Sequence, residues 1–237
     1  MLTLNHYTVT ADKKQILNNI SHTFNSGIHL IMGPNGSGKS TFALSLSGSP
    51  EFSLDPTSSA VLGEQELLSL KPYKRAQKGL FVSFQSPPSL SGVTVFGMLR
   101  TALHGKVEAF DLKKSIESYA QELAIPKELL SRSLNEGFSG GERKKMELLQ
   151  MAILKPRCAI LDEIDTGVDR DALRSMTSFL KKLQSDIPTI IIITHRTSFA
   201  KELTADSVTI FKNGSLLVSG DFSLAQDIDT HGYEHFH

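Results

Sequence analysis

Residues 33–41 (GPNGSGKST) contain three glycines, a lysine and three hydroxyl side chains, and they match the spacing G-x-x-x-x-G-K-[ST]. Glycines let the backbone fold so that several N–H groups point inward, and the positive end of a following helix adds to that field. Such a loop cradles the phosphates of a nucleotide, with Lys39 reaching the β- and γ-phosphates and the Ser40 hydroxyl binding Mg²⁺. The residues predicted to contact the nucleotide are Gly33, Asn35, Gly36, Ser37, Gly38, Lys39, Ser40 and Thr41.

The alternative is a glycine-rich turn that matches by chance, which average residue frequencies allow in roughly one chain in a hundred of this length. The flanking segments argue against it. The apolar run at 28–32 predicts a strand before the loop, and residues 39–47, which lack Gly and Pro, predict a helix after it. Strand, loop and helix in this order are the context that a phosphate-binding loop requires.

Two acids, Asp162 and Glu163, follow the apolar run at 158–161. Ligands of α/β sheets bind in the crevice at the carboxyl ends of the strands, where both acids can face the same space. We expect Asp162 to hold Mg²⁺ and Glu163 to polarise the water that attacks the γ-phosphate. The alternative, an ordinary acidic strand end, is less favoured because a phosphate loop precedes it.

Gln85 and His195 each follow a predicted strand, at 80–84 and 189–194. The amide of Gln85 could contact Mg²⁺ and the attacking water. A loop glutamine is more often solvated, and a lone histidine after a strand is more often a capped structural group. The residues alone leave both alternatives open.

The elements that position these side chains form an α/β pattern. Residues 158–194 predict a strand, a helix at 169–183 and a second strand, which is a βαβ unit of a parallel sheet. Alternation near the N-terminus and an Asn213-Gly214 turn predict antiparallel β-structure. Apolar residues recur at helical spacing through the middle third. We therefore predict an α/β core of residues 1–87 and 155–237 with a helical subdomain, residues 88–154, inserted in it.

Composition narrows the class of protein. The chain has 237 residues, and 25 Lys plus Arg balance 25 Asp plus Glu, so a broad nucleic-acid-binding surface is not expected. The one cysteine, Cys158, cannot form a disulfide or a multi-cysteine metal site within the chain, and it fits a packed core position in a reducing, cytoplasmic compartment. The longest aliphatic run, residues 190–193, is far shorter than the ~20 residues that span a bilayer, so no direct membrane insertion is expected.

The segment Ser139-Gly140-Gly141-Glu142 identifies a family. Together with the phosphate loop, Gln85, Asp162-Glu163 and His195 in this order, it resembles the ABC-type ATPases over nearly the whole chain. The resemblance implies a RecA-like ATP-binding core, Mg²⁺-dependent ATP hydrolysis, and closure of two ATPase subunits around ATP.

The resemblance also implies roles for single residues. Ser139, Gly140 and Gly141 would contact the γ-phosphate that the opposite subunit binds. Gln85 would be the Q-loop residue, a further ligand of Mg²⁺. His195 would be the switch histidine, and Asp169 would close the D-loop.

Two longer segments are similar to the SufC family, the ABC-type ATPases of the SUF iron–sulfur cluster assembly system: DEIDTGVD at 162–169 and SGGERKKME at 139–147. That family works with the scaffold proteins SufB and SufD, which ATP-driven closure would rearrange. The alternative, the ATPase subunit of a membrane transporter, shares every catalytic motif. A DNA-repair type of nucleotide-gated clamp is disfavoured, because only about 100 residues without sustained heptads separate Lys39 from Ser139.

Thr10 departs from the family pattern. Many ABC-type ATPases stack the adenine on an aromatic residue at this position, and Tyr7 is close but out of step. Without stacking, worth about 1–3 kcal/mol, affinity rests on the phosphates and Mg²⁺, and we predict that GTP binds as well.

Overall fold

The computed structural model of the chain describes residues 1–103 and 105–236. The density of internal contacts divides the chain into two units, and both are discontinuous in sequence. The first unit comprises Met1–Val82, Pro156–Ile164 and Gln184–His237. The second comprises Ser83–Lys155 and Asp165–Leu183.

A sheet in the order β11-β10-β3-β9-β8-β7 forms the centre of the first unit. Its strands are β3 (Gly27–Met32), β7 (Leu80–Val82), β8 (Cys158–Asp162), β9 (Thr189–Ile193), β10 (Ser207–Lys212) and β11 (Ser215–Gly220). All neighbours are parallel except β10 and β11, the hairpin predicted at Asn213-Gly214. Every residue of β3, β8 and β9 is buried, as expected of parallel strands that are covered on both faces.

An antiparallel sheet occupies the N-terminal part of the same unit, in the order β2-β1-β5-β6, with β4 also paired to β1. Its strands are β1 (Leu2–Ala11), β2 (Lys14–Phe24), β4 (Ser53–Leu54), β5 (Ser59–Leu62) and β6 (Gln65–Glu66). The helices of the unit are α1 (Lys39–Ser47), α2 (Pro72–Gln77), α8 (Thr197–Leu203) and α9 (Ser223–His231). The ring of Phe42 on α1 packs against Tyr7, Phe24 and Phe211, so α1 joins the cores of both sheets.

The second unit is helical. Its helices are α3 (Val95–Ala102), α4 (Ala109–Glu122), α5 (Lys127–Ser131), α6 (Gly140–Leu154) and α7 (Arg170–Leu183). The predicted α/β class, with an antiparallel β part and a helical part, is confirmed. Among the described residues, no helix is both long enough and apolar enough to cross a membrane.

Helix α7 groups with the helical unit, although the sequence pattern assigns it to the α/β core as the helix of a βαβ unit. The ring of Phe179 packs edge-to-face on Tyr119 of α4, with centroids 5.6 Å apart. Lys182 donates to the carboxylate of Glu122 at 2.8 Å. The apolar stripe of α7 therefore has neighbours in the helical unit that periodicity alone does not identify.

Strand β7 ends at Val82, two residues before the end that the apolar run predicts. Beyond it, the backbone N–H of Phe84 donates to the side chain of Glu147 at 2.8 Å instead of to a neighbouring strand. The side chain of Phe84 is 49% exposed. The apolar run in the sequence thus continues past Val82, the last residue that pairs in the sheet.

Candidate functional site

The glycine-rich loop lies between β3 and α1, as its sequence context predicts. Two of its glycines are required because neighbouring atoms leave no room for a side chain. Gly33 has φ 155°, and a Cβ there would lie 2.1 Å from the Phe211 carbonyl oxygen. Gly38 has φ 100°, and a Cβ would lie 2.4 Å from a methyl group of Leu17. The backbone N–H of Gly214 in the β10–β11 turn donates to the carbonyl of Ser37 at 3.1 Å. The loop is therefore held in place by two strands and a turn of the first unit.

The side chain of Lys39 folds back over this loop and is only 5% exposed. Its ammonium group donates to the carbonyls of Gly33 at 2.8 Å and Pro34 at 2.9 Å, and to the Ser37 hydroxyl at 3.3 Å. Burial lowers the pKa of Lys39, and the negative charges of Glu163 and Asp162 oppose that shift. The loop thus gathers backbone N–H groups and one cation at a single place, which suits an anion.

Asp162, the last residue of β8, is 4% exposed. It accepts a hydrogen bond from the hydroxyl of Ser40, the second residue of α1. Burial raises the pKa of Asp162, helped by the charge of Glu163 and opposed by the Ser40 hydrogen bond and by Lys39.

The Ser40–Asp162 pair fits a magnesium ion. A hydroxyl and a carboxylate meet at one point beside the phosphate loop, and both offer the hard oxygen atoms that Mg²⁺ prefers. Among the described residues, no group of three or more His, Cys, Asp and Glu could hold a metal ion. Two protein ligands beside a phosphate site match the usual way in which Mg²⁺ is bound, since it retains waters and phosphate oxygens.

Glu163 and His195 lie just after the carboxyl ends of two neighbouring parallel strands, β8 and β9. Asp162 pairs with Ile193 in the β8–β9 register, and the N–H of Glu163 donates to the Ile193 carbonyl at 3.0 Å. This register brings Nε2 of His195 within 3.0 Å of Oε1 of Glu163. Glu163 has φ 52°, a left-handed conformation that is strained for a residue with a side chain. Strain of this kind concentrates at functional sites, where the surrounding structure enforces it.

The first unit therefore brings together the phosphate loop, Asp162, Glu163 and His195. The other predicted site residues, Gln85 and the segment 139–141, belong to the second unit. Gln85 lies exposed in the loop after β7. Asp169 is the N-terminal cap of α7, because its carboxylate accepts the N–H groups of Asp171 at 3.0 Å and Ala172 at 2.8 Å.

The segment 139–141 begins helix α6. Ser139 is the N-cap, and its hydroxyl accepts the N–H of Glu142 while the Glu142 carboxylate accepts the N–H of Ser139 at 2.7 Å. Within the described chain, a Cβ at Gly140 or Gly141 would meet nothing within 4 Å, and neither glycine has positive φ. The packing of this chain therefore does not require glycine at either position. A helix start with two glycines leaves space for the close approach of an anion.

Tyr7 is not available to stack on a base. It is fully buried, its hydroxyl hydrogen-bonds with the Ser45 hydroxyl at 2.8 Å, and its ring packs edge-on against Phe42. Thr10 lies near the end of β1 and is partly exposed. The absence of an aromatic side chain at the adenine position stays a prediction.

Glu147 is a residue that the sequence patterns do not single out. It is 4% exposed in the middle of α6 and accepts the N–H of Phe84, the residue before Gln85. The signal available in the sequence is an acid beside the apolar residues Met146 and Leu149, which recur at helical spacing.

Comparisons with known proteins show the family of this chain. A family model described as ABC transporter matches residues 17–166. The chain is 36% identical over 242 residues to the "Probable ATP-dependent transporter SufC" of Escherichia coli strain K12, covering 98% of this chain and 97% of that protein. It is 35% identical over 243 residues to the "Probable ATP-dependent transporter slr0075" of Synechocystis sp., covering 99% of this chain and 94% of that protein.

A solved structure confirms the predicted fold class. It is the "Dimeric structure of a post-hydrolysis state of the ATP-binding cassette MJ0796 bound to ADP and Pi". The TM-score is 0.79 at 17% identity, over 94% of this chain and 99% of that one. At this identity the likeness concerns the fold alone.

Proposed function

The chain belongs to the ABC transporter family of ATP-binding proteins, and on that basis we propose that it is the ATPase subunit of a SUF-type iron–sulfur cluster assembly machine. As a member of this family it binds and hydrolyses ATP. The observation that carries the site assignment is the convergence of the Lys39 loop, Asp162 and the Glu163–His195 pair in one unit. The SUF assignment is supported by the relative named SufC, which is 36% identical over nearly the whole chain.

In this proposal Lys39 exchanges its hydrogen bonds within the phosphate loop for hydrogen bonds to ATP. The ammonium group of Lys39, now bonded to three oxygens of its own loop, turns to the β- and γ-phosphate oxygens. The inward N–H groups of residues 36–41 bind the remaining oxygens. The loop is already held by Phe211 and Gly214, so little of the binding energy is needed to order it.

Ser40 and Asp162 would hold Mg²⁺, and the resemblance assigns Gln85 as a further ligand. Bound Mg²⁺ neutralises charge on the phosphate oxygens. The Ser40–Asp162 hydrogen bond keeps the two ligands together before metal arrives.

Glu163 would direct hydrolysis. A water oxygen bonds to the γ-phosphorus, the bond to the β–γ bridging oxygen breaks, and the water proton passes to the Glu163 carboxylate, giving ADP and phosphate. The imidazole N–H of His195, 3.0 Å from Oε1, orients the carboxylate and stabilises its charge.

A second ATPase subunit would complete the site. The open glycines of α6 support this part of the proposal, since they leave room for the γ-phosphate of an opposite subunit. We further propose that residues 88–154 act as the helical subdomain in this closure. SufB- and SufD-type scaffolds in the cytoplasm would be the partners that closure rearranges.

The test is a native pull-down of the tagged chain with and without ATP, with the co-purified proteins identified by mass spectrometry. We expect SufB- and SufD-type proteins in both samples. Recovery of a polytopic membrane protein in their place would contradict the SUF role and favour the transporter alternative.

A further inference from the structure

Helix α6 contains a buried acid that the hydrolysis scheme does not use. We propose that Glu147 is a positioning residue for Gln85: its carboxylate holds the backbone just before Gln85 on the helix that begins at Ser139. The functional part of this inference rests on the proposed role of Gln85 in hydrolysis.

The contact is between a side chain and a main chain. Oε1 of Glu147 accepts the backbone N–H of Phe84 at 2.8 Å. Because the Phe84 side chain is 49% exposed, this segment is held by its peptide group and not by burial of its ring. Gln85 is the next residue along the chain. The hydrogen bond at Phe84 therefore lies one residue from the side-chain amide of Gln85, which it positions.

The anchor lies where regular structure ends. Strand β7 stops at Val82 and helix α3 begins at Val95. Between these two elements, the only β-pairing among the described residues is an isolated bridge from Leu90 to Leu134. The Glu147 carboxylate therefore supplies a fixed acceptor at the point where the ladder no longer does.

Stability does not account for an acid at position 147. A carboxylate in the protein interior is costly unless it is paired and fully hydrogen-bonded. Among the described residues Oε2 of Glu147 has no hydrogen-bond partner, and burial raises the pKa of Glu147 to about 7, opposed by the Phe84 N–H and the charge of Lys144. An apolar side chain would fit this buried helix face at lower cost. The acid is explained by the backbone group that it holds.

The same helix holds a second loop. The ammonium group of Lys144, one turn before Glu147, donates to the carbonyl of Thr166, in the segment that leads to Asp169. Helix α6 thus begins at Ser139, binds the Thr166 segment through Lys144, and binds the Gln85 segment through Glu147. These three parts of the second unit would move as one body when ATP closes two subunits.

The experiment compares Glu147→Leu, which removes the acceptor, with Glu147→Gln, which keeps an acceptor oxygen at the same place. Hydrogen exchange of the Phe84 amide, followed by NMR in the full chain, reports the anchor without turnover. We expect at least tenfold faster exchange in Glu147→Leu and little change in Glu147→Gln. Equal exchange in the wild type and Glu147→Leu would overturn the anchor.

ATP turnover with the scaffold partners reports the consequence. We expect kcat to fall about tenfold in Glu147→Leu, to stay within twofold in Glu147→Gln, and the Kd of a fluorescent ATP analogue to stay unchanged in both. Glu128→Leu, an exposed acid on α5, is the matched control and should behave as wild type.

A double-mutant cycle with Gln85→Ala separates positioning from general damage. If Glu147 acts through Gln85, Glu147→Leu causes no further loss of kcat in the Gln85→Ala background. Losses that multiply would overturn the proposal. If Gln85→Ala turns over ATP normally, the role of Gln85 in the proposed function fails, and with it the functional part of this inference, while exchange at Phe84 still decides the anchor.

Discussion

Oε1 of Glu163 lies 3.0 Å from Nε2 of His195, although 32 positions separate the two residues in the chain. The parallel register of β8 and β9 produces this contact, because it aligns Asp162 with Ile193. The left-handed backbone of Glu163, at φ 52°, then directs its side chain toward the histidine. The carboxylate of a strained residue at a strand end is thus held by a hydrogen bond with His195, and we expect it to receive the proton of the attacking water.

Replacement of Glu163 by Gln tests that role. Glutamine has the same shape but cannot take up the proton of the attacking water, so we expect ATP turnover to fall at least 100-fold, within the range for general-base groups. Binding of ATP should remain, and ATP should stay trapped in the closed pair. Asp171→Asn, which removes an exposed acid, is the control. Normal turnover in Glu163→Gln with the scaffold present would show that the assignment is wrong.

Gly141→Ala separates folding from function at the start of α6. Because a Cβ at Gly141 meets no described atom within 4 Å, we expect the free energy of unfolding to stay the same or rise by up to about 1 kcal/mol, as for Gly to Ala in a helix. If the glycine admits a γ-phosphate from a second subunit, kcat should nevertheless fall by tenfold or more. Denaturant unfolding and an ATPase assay measure the two effects. Loss of stability together with activity would count against this interpretation.

Thr10→Tyr tests the adenine position. Tyr7 is buried against Phe42 and bonded to Ser45, so the wild type should bind ATP and GTP with Kd values within about fivefold, a difference of roughly 1 kcal/mol. A tyrosine at position 10 should tighten ATP binding at least fivefold, since stacking contributes about 1–3 kcal/mol. Thr3→Tyr, on the same strand, is the control. A strong ATP preference in the wild type would contradict the prediction.

The buried acid of α6 predicts a pH dependence of stability. Burial raises the pKa of Glu147 to about 7 from 4.5, so between these values the folded chain keeps a proton that the unfolded chain releases. The folded state then binds more protons, and the free energy of unfolding falls as the pH rises from about 4.5 to about 7. The full change is roughly 3 kcal/mol at 1.36 kcal/mol per pKa unit.

Glu147→Gln removes this titration and keeps the acceptor for Phe84. We expect the wild type to lose stability relative to Glu147→Gln between pH 5 and pH 8, measured by denaturant unfolding at both values. Glu128→Gln, at an exposed site, should follow the wild type. A difference between wild type and Glu147→Gln that does not vary with pH would contradict the prediction.

The predictable parts of this molecule are those in which local sequence and fold agree. The phosphate loop needs glycines where Phe211 and Leu17 approach, and the fully buried strands need continuous apolar runs, so both are recognisable from residue types. The Glu163–His195 contact depends on strand register, which spacing suggests but does not fix.

Other features depend on packing that no local pattern contains. Helix α7 has an ordinary amphipathic sequence, and where it packs is decided by neighbours in other helices, among them Tyr119 and Glu122. Glu147 is one acid among apolar neighbours, and its partner is a backbone N–H 63 positions away. Backbone groups are alike at every residue, so a contact of this kind leaves no mark on the sequence of its donor.

The central position of β3 constrains how the protein is made. β3 (Gly27–Met32) pairs with β9 and β10, which end 161 and 180 residues later. At about 5–20 residues per second of synthesis, its two edges wait on the order of ten seconds or more for these partners to leave the ribosome. A mainly apolar strand with open edges is prone to aggregate during that time. The edges of β3 therefore need protection until translation is nearly complete.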